Sequence, residues 1–177
     1  MPTDRRVYDL AADLLCYPDA EYPAKLAACR AALEQIDSEA AEHLGAFAQK
    51  TDGLTTEEFQ ELFTRTLDLD PACTLDLGWH LYGEAYERGA FLVEIREALE
   101  RAGIAESAEL PDHLSHIVML LGRLDQEAAT NLAVRIIPAV DKIVGNLDGK
   151  DDPIEHLLKA IHSLVMKRHA LEVTPRG

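Results

Sequence analysis

Pro111-Asp112-His113, with His116 three residues further on, sets a carboxylate and two imidazoles within about one helical turn. Such donors can hold a divalent metal, but a zinc site needs three or four convergent ligands, and a catalytic zinc helix usually reads HExxH. Here the group stands alone. The residues themselves read Asp112 as a helix-end cap and His113 as a hydrogen-bonding or groove residue. A metal or small-molecule site on His113 and His116 is the alternative. His156, His162 and His169 recur at spacings of six and seven near the C-terminus, where solvated histidines are ordinary. Cys16, Cys29 and Cys73 form no CxxC pair and read as small buried hydrophobes in a reducing compartment. Nucleophilic chemistry finds no GxSxG, and Cys73 sits between Ala72 and Thr74 without an activating neighbour. Gly78, Gly83 and Gly89 match neither phosphate-loop nor dinucleotide spacing. The expectation is a protein that is not an enzyme and carries no cofactor of its own.

One cluster remains: Trp79, His80, Tyr82, Gly83, Glu84, Tyr86, Arg88 and Gly89. Aromatics and glycines beside carboxylates suit a groove for a basic or amphipathic peptide, the rings anchoring and the carboxylates reading Lys or Arg. The other reading places Trp79 and Tyr82 in the core and pairs Arg88 with Glu84 at i, i+4. The residues alone leave both open. Charge fits the groove and, equally, a solvated acidic surface. Between Asp52 and Asp112 stand 15 acidic residues against four arginines, which is −11 of the chain's −15. That acidity excludes a nucleic-acid footprint and is compatible with a basic partner at the middle of the chain.

The elements that must position these residues read as helices. The chain is 47% hydrophobic but only 6% aromatic, and the strong helix formers Ala, Leu and Glu dominate. Apolar residues recur at helical spacing in Val7–Leu15, Leu26–Ile36, Ala41–Ala48, Phe59–Leu67, Tyr86–Leu99, Leu114–Leu121 and Ile154–Val165. Punctuation agrees: Tyr17-Pro18 stops the first helix, Ser38 opens the third, and Thr55 with Glu58 makes a capping box. Gly103 suits a C-terminal cap, Pro111 a first helical position, and Asp125 an N-cap. The expected architecture is all-α, a single domain over residues 1–177 with about eight to ten helices. No apolar signal region opens the chain and no run spans a bilayer, so a cytoplasmic protein without membrane insertion is expected.

Taken in order, Asp68-Leu-Asp-Pro71, Leu75, His80-Leu-Tyr-Gly-Glu84, Glu87-Arg-Gly89 and Glu109-Leu-Pro-Asp-His-Leu114 resemble the signature of the TorD/DmsD/NarJ chaperones. The spacing is closest to the NarJ branch, the delta subunit of respiratory nitrate reductase. The likeness is strong over about Thr55–Leu121 and rests elsewhere on helix pattern. It implies an all-α, TorD-like fold and a cytoplasmic, client-specific chaperone. Its partner would be the N-terminal, twin-arginine-like segment of a molybdenum oxidoreductase catalytic subunit, held until the molybdenum cofactor is inserted. Nitrate reductase is the expected client, with selenate, chlorate, dimethyl-sulfide and ethylbenzene enzymes as alternatives. Leu67-Asp68 stands where many relatives have Phe-Asp, and His116-Ile-Val-Met replaces their usual aromatic or acidic run, which leaves the client open. Carried over by motif, the peptide-binding candidates are Asp68, Asp70, His80, Tyr82, Glu84, Arg88, Asp112 and His113, joined by Trp79 from the aromatic cluster. The two motifs are expected to converge on one groove.

Overall fold

The structure, a computed structural model, describes residues 2–169, with side chains from Arg5 onward. Among them are nine α-helices: α1 (Pro2–Asp13), α2 (Tyr22–Glu34), α3 (Ser38–Thr51), α4 (Thr56–Phe63), α5 (Leu77–Tyr82), α6 (Tyr86–Arg101), α7 (Leu114–Leu121), α8 (Gln126–Leu147) and α9 (Ile154–Arg168). No strand occurs among the described residues. A single antiparallel bridge joins Asp76 to His113.

Helix α7 is the centre. Leu114, Ile117, Val118, Leu120 and Leu121 are all buried, and even Ser115 and His116 lie inside. A helix apolar on every side has to be surrounded. It packs against α1, α6 and α8, so residues from the start of the chain close over a segment a hundred positions later. A second layer forms where α9 lies along α3 and α8. Tyr22, Phe47, Phe59 and Phe63 fill the corner between α2, α3 and α4 with rings 4.7–6.3 Å apart, within the range where edge-to-face and tilted pairs are favourable. Cys29 and Cys73 are buried thiols, but Cys16 is exposed.

The helix ends follow their local chemistry. The Thr55–Glu58 capping box is present in both directions. Asp125 accepts from the Ala128 N–H at 2.8 Å. After α6 the Ile104 and Gly103 N–H groups return to the Leu99 and Glu100 carbonyls, and Gly103 takes φ 72°, a Schellman ending that needs the left-handed region. Two expectations shift. Pro111 does not open α7, because the chain makes a turn through Asp112 and His113 and the helix starts at Leu114. The cap of α3 is Asp37, not Ser38: its carboxylate accepts from Ala40 N–H at 3.1 Å and from Ser163 Oγ at 2.8 Å, and pairs with Lys167 at 2.9 Å. A carboxylate with three partners is a better acceptor there than an exposed hydroxyl.

Asp37 therefore ties the start of α3 to α9. Replacing it with alanine orphans the Ala40 amide and breaks two interhelical bonds, a loss on the order of 3 kcal/mol. Urea unfolding is expected to show a lower midpoint at unchanged slope for Asp37→Ala, and almost no change for Ser38→Ala.

Candidate functional site

Helix α4 does not end cleanly. It widens into a π-helical turn, Thr64–Asp68, closed by the Leu69 N–H on the Thr64 carbonyl at 3.0 Å. The extra residue in that turn keeps Leu67 inside while Asp68 emerges exposed, the kind of local re-aiming for which π turns are used. Asp70 then accepts from the Ala72 N–H at 3.0 Å and opens a 3₁₀ turn, Pro71–Cys73, whose cysteine is buried. Thr74-Leu75-Asp76 runs extended into α5.

This segment meets the second motif edge to edge. The Leu77 N–H donates to the Asp112 carbonyl at 3.1 Å, and the Leu114 N–H donates to the Leu75 carbonyl at 2.9 Å. The Asp112 carboxylate accepts from the Gly78 N–H at 2.8 Å. The first turn of α5 is thus capped from 34 residues away, by both the carbonyl and the side chain of Asp112. Glycine at 78 is required: a Cβ there would stand 2.5 Å from Asp112 Oδ2 and 3.2 Å from the Phe91 ring. Asp112 is 0% exposed, and Arg88 Nη2 approaches its Oδ2 at 3.9 Å while lying over the Trp79 ring at 5.9 Å. Burial, and then the nearby Asp76 charge, raise the Asp112 carboxyl above the usual carboxylate range. One oxygen of Asp112, one of Asp76 and Nε of Arg88 are buried without partners.

His113 caps α7: its Nδ1 accepts from the Ser115 N–H at 3.2 Å and sits 2.7 Å from Ser115 Oγ. The neutral ring therefore carries its proton on Nε2. Burial depresses its pKa to about 4, so the ring is neutral near pH 7. His116 donates Nδ1–H to the Leu110 carbonyl at 2.8 Å and accepts from the Ser107 N–H on Nε2 at 3.2 Å. Both its nitrogens are engaged, which removes it as a metal ligand, and no three His, Cys, Asp or Glu side chains converge among the described residues.

Between the π turn, the extended segment, the turn that runs from Glu109 to His113 and the residues after α1 lies an open cavity of about 170 Å³. Asp68, Asp76, Glu109 and His113 supply its polar wall; Leu15, Tyr17, Phe63 and Leu67 supply apolar surface. No lysine or arginine lines it. Burial and then the Glu109 charge raise the Asp68 carboxyl above its ordinary range.

The nine candidates thus separate. Asp68 and His113, from the two motifs, face one cavity. Asp70 and His80 shape the loop between them, His80 donating Nε2–H to the Thr74 carbonyl at 2.6 Å. Asp112, fully buried, and the half-buried Arg88 and Trp79 form the cluster behind; Asp112 is sealed there against the Gly78 N–H and is not the cap of α7 that its place in the sequence suggests. Tyr82 packs on Phe91 at 5.6 Å, and Glu84 is exposed beyond α5. The Arg88–Glu84 pair, one of the two readings left open, does not form; Arg88 turns inward to Asp112. Tyr17, Asp76 and Glu109 complete the wall and escape sequence reading: Tyr17 looks like part of a helix stop, and Asp76 belongs to no recurring spacing. Glu109 carried a signal, since it opens the Glu-Leu-Pro-Asp-His run.

The chain matches the family model described as "Nitrate reductase delta subunit" over residues 24–148. It is 25% identical over 162 residues to the "Probable nitrate reductase molybdenum cofactor assembly chaperone NarJ" of Bacillus subtilis (strain 168), covering 90% of this chain and 88% of that protein. It is 28% identical over 142 residues to the "Nitrate reductase molybdenum cofactor assembly chaperone NarJ" of Escherichia coli (strain K12), covering 78% of this chain and 60% of the relative. The protein of the same name from E. coli O157:H7 matches to the same extent.

Two outcomes test the site's architecture. Asp112→Asn keeps an acceptor for the Gly78 N–H without a buried charge and is expected to fold with near-native stability, whereas Asp112→Ala loses on the order of 3 kcal/mol in urea unfolding. For His113 the folded pKa lies below the unfolded one, so the unfolded chain binds the proton first as pH falls. Its stabilising contribution is complete above pH 6.5 and is lost toward pH 4, on the order of 3 kcal/mol. Asp112, with its raised pKa, acts in the opposite sense. Comparing stability against pH for the parent and His113→Asn therefore isolates the histidine: the variant is expected to lose less between pH 6.5 and 4.

Proposed function

The chain belongs to the nitrate reductase delta subunit family, and from that premise we propose that it is an assembly chaperone for the catalytic subunit of a molybdenum oxidoreductase, most closely a respiratory nitrate reductase. It performs no catalysis. Acting in the cytoplasm as one all-α domain, it holds the N-terminal segment of the client while the molybdenum cofactor is inserted, and it is absent from the finished enzyme. The observation that carries this reading is the cavity shared by Asp68 of the first motif and His113 of the second, an anionic depression without a cation on its wall.

The physics suits a basic, apolar segment. Asp68 and Glu109 repel each other across the cavity, and a cationic side chain relieves that repulsion. Tyr17, 58% exposed, belongs to the wall; Leu69, 73% exposed, follows Asp68, and Leu110, 44% exposed, follows Glu109. Large apolar side chains left exposed beside charged ones are the composition of a peptide-recognition surface rather than of a solvated face. The surrounding acidity raises the encounter rate with a positive partner and makes it salt-dependent. Among the described residues no helix is long and apolar enough to cross a membrane.

A labelled synthetic peptide covering the N-terminal segment of the nitrate reductase catalytic subunit is expected to bind, more weakly as salt rises. Asp68→Lys is expected to weaken it at least tenfold in fluorescence anisotropy, while Glu57→Lys, an equal charge change in the exposed first turn of α4, changes affinity less than threefold. Equal effects of the two substitutions reject this cavity as the docking place.

A further inference from the structure

Several carboxylates elsewhere in the fold have found a partner. Asp9 is held bidentately by Arg123 at 2.6 and 3.1 Å, Glu94 by Arg135 at 2.6 and 3.0 Å, and Glu106 by Arg96 at 3.0 Å. The three carboxylates of the cavity make no ion pair with any described residue. One oxygen of Asp76 is moreover sealed from solvent with nothing bonded to it. Carboxylates gathered round one cavity without a counter-charge are costly, and a cationic donor brought to that cavity removes the cost.

His113 sets a second condition. It is 8% exposed and lines the same cavity. Since Nδ1 accepts from Ser115, Nε2 presents an N–H, and no described group receives it. A ligand that matches this wall supplies several donors to the carboxylates and one acceptor to the imidazole. A polyamine or a metal ion offers no acceptor, and a carboxylate or phosphate offers no donors. The volume, about 170 Å³, is close to that of a cavity of about 150 Å³ that holds one benzene ring, so it admits a single side-chain head group and not a folded element.

We infer that this cavity is a subsite for one arginine of the client segment, its guanidinium bound by Asp68, Asp76 and Glu109 and a neighbouring peptide carbonyl accepting the Nε2–H of His113. The inference rests on the client-peptide reading and sharpens it. Five N–H donors in a planar fork reach carboxylates on separate sides of the cavity, whereas the three donors of a lysine ammonium radiate from one compact point. Tyr17 and the carbon stems of Leu15 and Leu67 then cover the methylenes of the arginine side chain.

The test is a double-mutant cycle between the full chain and the synthetic client peptide. Each arginine of the peptide is replaced in turn by glutamine and by lysine, and each peptide is titrated against the parent chain, Asp68→Asn and Glu109→Gln, two changes at exposed positions that leave the fold intact. One arginine is expected to matter at least tenfold, to be poorly replaced by lysine, and to become indifferent once Asp68 or Glu109 is neutralised. Binding that persists with every arginine exchanged, or losses that add without coupling, overturns the subsite while leaving the chaperone reading standing. A parent chain that binds no client peptide at all overturns both. Spermidine competing as well as the arginine peptide removes the role given to His113 and overturns the subsite.

Discussion

The bond between the Asp112 carboxylate and the Gly78 amide is the constraint on which the site depends. Helix α5 has only six residues, too few to persist on its own, and Asp76, in its own cap position, makes no capping bond. Asp112 supplies the missing acceptor from another part of the chain and brings the second motif with it. Once that contact forms, the bridge between Asp76 and His113 follows, α7 is aimed into the core by its His113 cap, and Arg88 is drawn over Trp79. Glycine at 78 lets the carboxylate reach the backbone at all. A single buried acid thus converts two loops, 34 residues apart, into one rigid wall, with a proton affinity raised by the same burial that makes the contact strong.

The helices were legible because their cause is local. Apolar periodicity in α1, α3, α6 and α9 reflects one face buried against neighbours, and the Thr55–Glu58 box and Gly103 ending are chemistry within a few residues. What was illegible depended on partners distant in sequence. Asp37 wins the cap of α3 over Ser38 because Ser163 and Lys167 on α9 complete its coordination. The π turn after Phe63 has no composition that announces it; packing of Leu67 against the core forces the extra residue outward. Arg88 prefers Asp112 over Glu84 for the same reason: a partner stripped of water exerts a stronger pull than one on the surface.

The site divided along the same line. Ordered motif pieces brought Asp68 and His113 into view, and they share a cavity. Within those pieces, however, the residues with the most conspicuous chemistry, Asp112 and Arg88, turned out to work on the protein itself, while Glu109 and Asp76 make the wall. Ring-bearing residues divided too: Trp79 and Tyr82 face Arg88 and Phe91, and Tyr17, which reads as punctuation, reaches the cavity. Residue type told which groups could do chemistry; only tertiary contact decided whether they faced a partner or the core.

The pairing of α1 with α7 and of α3 with α9 has a consequence for when the molecule becomes competent. Each pair joins segments more than a hundred residues apart, so in an emerging chain α1 has no α7, and α3 no α9, to pack on until those later segments have left the ribosome. The depression walled by residues on either side of that closure exists only in the completed fold. A half-made copy exposes apolar helix faces instead and itself needs shelter, and its discrimination between partners begins at release from synthesis.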